Sequence, residues 1–363
     1  MTRLEKLRQQ LTARDLSSML IFEQHNITYL SAFTGHAATV LLTPQQNYLL
    51  TDYRYFEQAK SQASEFTVIC RDRVKQSLAE LIVELLTSEQ VSILAYESAH
   101  ISVSQWQEIK NMLNQDAPLL ADNTQPVLRL VEDLRYIKDE SEIGNIAQAA
   151  DIADQALAQL LPLFQEGVTE REMALELEYR MSQLGSQRPA FDTILLFGER
   201  SALPHGVPGN RQLKSGDLIL CDFGATINGY RSDMTRTFVF GTPSSQQTEI
   251  YNIVLNAQLA AIEAITAGVS GKQLNAQAQA VLNQSRYAQY QGEGLGHGVG
   301  LDLHEFPFIG QSCSQTIENG CVITIEPGIY IPKWGGIRIE DDVVLTEQGL
   351  KILTQSPKTF TSL

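Results

Sequence analysis

The stretch Cys221–Phe238, CDFGATINGYRSDMTRTF, decides how the C-terminal part of this chain folds. At its centre, Asn228-Gly229 is the signature of a two-residue type I′ turn, whose central residues both take positive φ. Folding the strand back about that pair sets Gly224 opposite Asp233 and Asp222 opposite Thr235. Side chains alternate along a strand, so Asp222 and Asp233 share one face as diagonal neighbours, roughly 7–8 Å apart at Cα. Two carboxylates so placed can converge on one ion.

A second acidic hairpin lies further on. Glu326 and Glu340 flank YIPKWGGI, and their midpoint is Lys333, so an odd-numbered loop puts them directly opposite each other. Opposed like charges destabilise a hairpin unless a positive charge sits between them. His297, within GEGLGHGVGLDLHE, adds an imidazole flanked by glycines. Four carboxylates and one neutral imidazole balance two divalent cations, and a metal pair about 3.5–4 Å apart suits hydrolysis. Oxygen-rich ligation favours manganese-like ions over a structural zinc held by cysteines. A single hairpin Asp is ordinarily a turn or surface residue and a lone His ordinarily structural; two matched acidic pairs with a histidine are a different proposition. The glycines from Gly292 to Gly300 fall at every second residue and contain no G-x-G-x-x-G, which removes the nucleotide-binding reading.

The hairpins belong to a repeat. A helix beginning near Asp139 carries the apolar stripe Ile143, Ile146, Ala147, Ala150, Ala153, Leu157 and Leu160, ends at Pro162, and is followed by GVTERE with Thr169 and Glu172 at capping-box spacing. A second helix running to Ala267 is followed by GVSGKQL. Each copy then leads to a strand ending in an acidic residue: LILCDFG and VITIEPG. Residues 126–363 therefore read as two pseudo-symmetric halves, each helix–helix–hairpin.

Residues 1–125 alternate differently, as an α/β domain. Strands are expected at Met19–Phe22, Thr39–Thr43, Tyr48–Thr51, Phe66–Cys70 and Val91–Tyr96, with helices over Val74–Leu86 and Ser102–Leu113. Polar ADNTQP, ending at Pro126, marks the expected junction. The formal net charge of -15 argues against nucleic acid or an anionic membrane as partner. The N-terminus, MTRLEKLRQQL, lacks the apolar core of a secretory signal and reads as a helix capped by Thr2 and Glu5. Cys70, Cys221, Cys313 and Cys321 have no metal spacing and are expected to be reduced, which sets the cytoplasm as the default compartment.

At FDTILLFGERSALPHG, DFGATINGYRSDMTRTF, GHGVGLDLHE, TIEPGIY and GIRIEDDVVLT the chain resembles the pita-bread metallopeptidases. It is closest to their proline-directed branch, aminopeptidase P and prolidase, and YLSAFTG and LLTDYRYFEQA resemble that branch's N-terminal domain. The resemblance implies an α/β N-terminal domain, residues 1–125, followed by an α+β pita-bread catalytic domain, residues 126–363. It implies that Asp222 chelates one metal, His297 and Glu326 the other, and that Asp233 and Glu340 bridge. Manganese is the expected ion, with cobalt or zinc as alternatives, and a hydroxide held by the metals is the nucleophile. Glu326 is the implied proton shuttle, His205 and His304 the contacts to substrate and oxyanion, and Arg338 a supporting charge. His25, His36 and His100 receive no chemistry.

The implied activity is that of an Xaa-Pro aminopeptidase acting on peptides with proline second, as a homodimer. An Xaa-Pro dipeptidase and a catalytically weak peptide-binding protein of the same fold are the alternatives. One departure bears on substrate choice. The branch carries a histidine four residues before the ligand histidine, where this chain has Glu293.

Overall fold

The computed structural model describes all 363 residues, which form two compact units, residues 1–135 and 136–363. In the first unit, α1 (Arg3–Thr12) starts at a capping box in which Thr2 and Glu5 each bond the other's backbone N–H. A mixed sheet follows from β1 (Ser18–Ile21), β2 (Thr39–Leu42), β3 (Asn47–Thr51), β4 (Thr67–Cys70), β5 (Leu94–Glu97) and β6 (Thr124–Val127), in the order β4-β3-β2-β1-β5-β6. The strands β1, β2 and β3 pair antiparallel, and the outer pairs are parallel. Between them run α2 (Gln24–Ser31), α3 (Phe56–Gln62), α4 (Leu78–Ser88), α5 (Val103–Asp116), α6 (Pro118–Asp122) and α7 (Glu132–Arg135). Leu20, Leu41, Leu50, Ile82, Leu86, Leu94 and Leu113 form a core between the sheet and α4 and α5.

Two expectations shift here. The fourth helix starts at Leu78 rather than Val74, because Ser77 and Glu80 form its capping box and Val74 stays 96% exposed. The ADNTQP segment is not a linker: Thr124–Val127 is an edge strand bonded to β5, and the units divide after Arg135. Pro126 is tolerated because an edge strand leaves one side of its backbone unpaired.

The second unit is built twice over from one plan. The first half runs α8 (Glu140–Leu160), α9 (Glu170–Gln183), β7 (Ile194–Phe197), β8 (Leu218–Phe223) and β11 (Met234–Val239), with β9 (Thr226–Ile227) and β10 (Tyr230–Arg231) at the hairpin tip. The second runs α10 (Ser245–Glu263), α11 (Gly271–Leu282), β12 (Gly296–Gly298), β13 (Glu305–Ile309), β14 (Val322–Ile325) and β17 (Asp341–Thr346), with β15 (Gly328–Ile331) and β16 (Gly335–Arg338) at its tip and β18 (Gly349–Ile352) at the edge. The series β7-β8-β11 in one sheet matches β12-β14-β17 in the other. Capping boxes start α8, α9, α10 and α11 alike, at Asp139, Thr169, Ser244 and Ser270. The helix expected to reach Ala267 stops at Glu263, with Ala264 as its C-cap. Each half keeps a separate core, Leu157–Leu177–Phe223 in the first and Val254–Leu274–Ile325 in the second. No helix is long and apolar enough to cross a membrane.

Candidate metal centre and its cavity

Hairpin register places the carboxylates. Asn228 and Gly229 have φ of 50° and 83°, as a type I′ turn requires, and Asp222 pairs with Thr235. In the second half, Lys333 has a φ of 64°, Gly328 pairs with Arg338 and Ile325 with Asp341, so Glu326 and Glu340 stand opposite across the break between the two strand pairs. His297 enters from β12, bracketed by glycines for a steric reason: a Cβ on Gly296 would lie 2.1 Å from the Thr324 carbonyl oxygen.

A cavity of about 970 Å³ is lined by Asp222, Asp233, Glu293, His297, Glu326 and Glu340, and also by His205, His304 and Arg338. Every residue singled out from the sequence for a role at the site therefore borders one space. Ligand atoms of Asp233, His297 and Glu340 lie within 4.8 Å of one another. His297 Nε2 stands 3.3 Å from Glu326 Oε1 and 3.7 Å from Asp233 Oδ2. Its Nδ1 lies 3.0 Å from the Gly298 carbonyl, which can only accept. The proton is thereby assigned to Nδ1, and Nε2 turns its lone pair toward carboxylates.

The carboxylates of the cluster crowd one another. Burial, then Glu340, Asp222, Asp342 and Glu326, push Asp233 far above the usual carboxylate range. Glu340 is driven up by burial and by Glu326 and Asp222, against Arg338 and a Thr235 hydrogen bond. Glu326 is pushed up to about 7, mainly by burial, with Arg338 opposing. Burial holds the His297 imidazole below its ordinary value and thus neutral. Asp222 Oδ1 and Asp233 Oδ1 are buried with no hydrogen-bond partner. Unpartnered carboxylate oxygens around an imidazole lone pair are a donor set for hard or borderline divalent cations, so these residues fit a metal pair.

Surrounding groups hold the cluster in shape, and several carried no sequence signal that singled them out. Thr235 Oγ1 donates to Glu340 Oε2 at 2.6 Å and accepts from Arg338 Nε at 3.0 Å. Arg338 also bonds Asp222 Oδ2 and, at 2.6 Å, the Tyr330 hydroxyl. Thr324 Oγ1 accepts from the His297 amide at 3.0 Å and donates to Glu326 Oε1 at 3.1 Å. Asp342 Oδ2 accepts from the Asp233 amide at 2.8 Å. The fully buried Arg236 bonds the carbonyls of Thr235, Glu340 and Ser356 and the Asp341 carboxylate. Arg338 was singled out by the family resemblance, and Thr235 could have been found as the cross-strand partner of Asp222. His304 packs edge-on against His297, centroids 4.3 Å apart. Outside the cavity, His25 bonds Glu23 and His100 bonds Glu132, both within the first unit.

Residues 144–347 match the model of metallopeptidase family M24, and residues 3–137 match the Creatinase/Prolidase N-terminal domain. The chain belongs to family M24. Among its M24 relatives, the Xaa-Pro dipeptidase of Pyrococcus horikoshii is 36% identical over 357 residues, 98% of this chain and 97% of the relative. The solved Xaa-Pro dipeptidase from Bacillus anthracis superposes with a TM-score of 0.93 at 36% identity, covering 99% of both chains. The X-Pro aminopeptidase from Thermotoga maritima gives 0.91 at 35% identity over 100% of both. The architecture is therefore a creatinase-type N-terminal domain followed by an M24 pita-bread catalytic domain, and the chain is a metallo-exopeptidase.

Proposed function

We propose that this M24 enzyme hydrolyses the bond between an N-terminal residue and a following proline, holding two divalent cations, manganese first, through Asp222, Asp233, His297, Glu326 and Glu340. The observation that carries this is the His297 lone pair set 3.3 and 3.7 Å from oxygens of Glu326 and Asp233, a geometry that a shared divalent cation satisfies. When bound, the metal pair supplies an acidified water and polarises the scissile carbonyl. Glu326, one oxygen held by Thr324, takes a proton from the attacking water and delivers it to the leaving proline nitrogen. His304 and His205 contact the substrate and stabilise the oxyanion as charge develops on it. Arg338, tied to Asp222, Thr235 and Tyr330, holds the Asp222 carboxylate in place. A cytoplasmic location rests on the expectation of reduced cysteines, and a homodimer is carried over from the family resemblance.

Aminopeptidase action, on tripeptides and longer chains, is the leading form, supported by the resemblance around Arg200–Gly206 and by the cavity's size. Dipeptidase action is the second reading, favoured by relatives named Xaa-Pro dipeptidase. Chelation is expected to abolish turnover, and manganese or cobalt to restore it. Metal-loaded protein should cleave Ala-Pro-Leu faster than Ala-Pro. Undiminished activity after metal removal would sink the mechanism, and a clear preference for Ala-Pro would transfer the assignment to the dipeptidase.

A further inference from the structure

At about 970 Å³ the cavity is at the upper end of ligand pockets, roughly 300–1,000 Å³, and offers room well beyond a dipeptide. The charges on its walls are mostly negative: Glu178, Asp192 and Glu293 join the metal-site carboxylates. Two permanent cations line it, and they differ in kind. Arg338 is buried and committed to Asp222, Thr235 and Tyr330. Arg171 is exposed and its guanidinium makes no hydrogen bond or ion pair with any residue. Arg171 is nevertheless firmly mounted. It lies in the first turn of α9, and its amide donates to the Gly209 carbonyl at 3.0 Å. The preceding Glu170, fully buried, accepts from the amides of Gly209 and Phe197 and from Arg200. Exposed apolar side chains share the lining with Arg171: Leu175, one helical turn on from it, and Val207 and Phe308, respectively 57%, 78% and 49% exposed. An unpaired cation beside exposed apolar side chains matches the end of a short peptide, whose last residue carries both an apolar side chain and a carboxylate.

We infer that Arg171 is a specificity-determining residue that receives the C-terminal carboxylate of tri- and tetrapeptide substrates. Their residues beyond proline lie against Leu175, Val207 and Phe308. This rests on the proposed Xaa-Pro activity and narrows its substrate class to short oligopeptides with free carboxyl ends and apolar residues after proline.

The test compares Ala-Pro-Leu and Ala-Pro-Leu-Leu with their C-terminal amides, in the native enzyme and in Arg171→Gln and Arg171→Glu. Native enzyme is expected to favour the acid over the amide in kcat/KM by about three- to tenfold for at least one of the two lengths, as a partly screened ion pair allows. Arg171→Gln should bring that ratio to about one, and Arg171→Glu should invert it. Calorimetric binding of the same peptides to metal-free protein gives a second readout that needs no turnover. A ratio near one in native enzyme by both readouts, or a ratio that both variants leave intact, overturns the assignment. If no Xaa-Pro peptide is cleaved yet binding keeps an Arg171-dependent preference for the acid, the proposed activity fails and the assignment of Arg171 stands.

Discussion

Glu293 stands where the family branch carries histidine, and its side chain borders the cavity with no hydrogen-bond or salt-bridge partner. A carboxylate there repels the terminal carboxylate of a bound dipeptide, which sits close to the scissile bond. In a longer peptide that charge is further away, and Coulomb repulsion falls with distance and screening. Glu293→His is therefore expected to raise kcat/KM on Ala-Pro by roughly tenfold, equivalent to about 1.4 kcal/mol, and on Ala-Pro-Leu by less. Equal gains on both lengths, or none, would show that this position has no bearing on substrate length. The residue scale also shows how closely the acidic groups depend on neutral ones. Thr235 lets the Glu340 carboxylate and the Arg338 guanidinium meet through one hydroxyl, accepting from the cation and donating to the anion.

At the scale of elements, the first acidic hairpin has one mechanical requirement between its two aspartates and another at its tip. Gly224 faces the Ser232 carbonyl oxygen so closely that an added Cβ would lie 1.8 Å from it. Gly229, at the turn, needs its positive φ of 83° but meets only a Leu301 methyl at 3.3 Å. The two glycines should fail differently. Gly224→Ala forces β8 away from β11 between Asp222 and Asp233, so metal affinity is expected to fall at least tenfold. Gly229→Ala should cost about 1–2 kcal/mol of stability through its left-handed backbone while metal occupancy holds. Elemental analysis and denaturant midpoints of both variants separate the outcomes. Normal metal content in folded Gly224→Ala would refute the claim that hairpin spacing sets the site.

At the scale of the whole molecule, the first unit carries its own pH sensitivity, remote in sequence from the metal cluster. Glu97 is buried, its carboxylate accepting from the amides of Phe22 and Glu23 and from Asn26 Nδ2. Burial, aided by Glu132, outweighs those hydrogen bonds and pushes its pKa up to about 7. A carboxyl raised above its unfolded value of about 4.3 contributes stability below that pH and loses it as pH rises through the folded value. Glu23 acts in the opposite sense: burial would raise it, but His25 and Arg135 hold it at about 2, so its contribution is lost only as pH falls below the unfolded value. Between pH 5 and 8 the Glu97 effect should dominate, and the first unit is expected to lose on the order of 2–3 kcal/mol, with a flatter slope in Glu97→Gln. Trp106 stacks on Tyr96 within this unit, and its fluorescence in a Trp334→Phe background reports on that unit alone. Identical slopes with and without Glu97 would remove it as the cause.

Local geometry was legible from the chain alone. Turn residues and a side-chain period of two suffice to pair Asp222 with Thr235 and to oppose Glu326 and Glu340, because a hairpin's register depends only on residues within it. The capping boxes at Thr2 and Thr169, and the repeated helix–helix–hairpin plan, were legible for the same reason. Tertiary structure decided what joins the halves. Thr235 meets Glu340 across 105 positions, and the Asp233 amide finds Asp342 across 109. No periodicity encodes such contacts, since they exist only once two separate cores have packed and set the hairpins side by side. The polar run at Pro126 misled for a related cause: polarity describes a segment's exposure, whereas its place in a sheet depends on whether a distant strand offers it hydrogen bonds, as Leu94–Glu97 does.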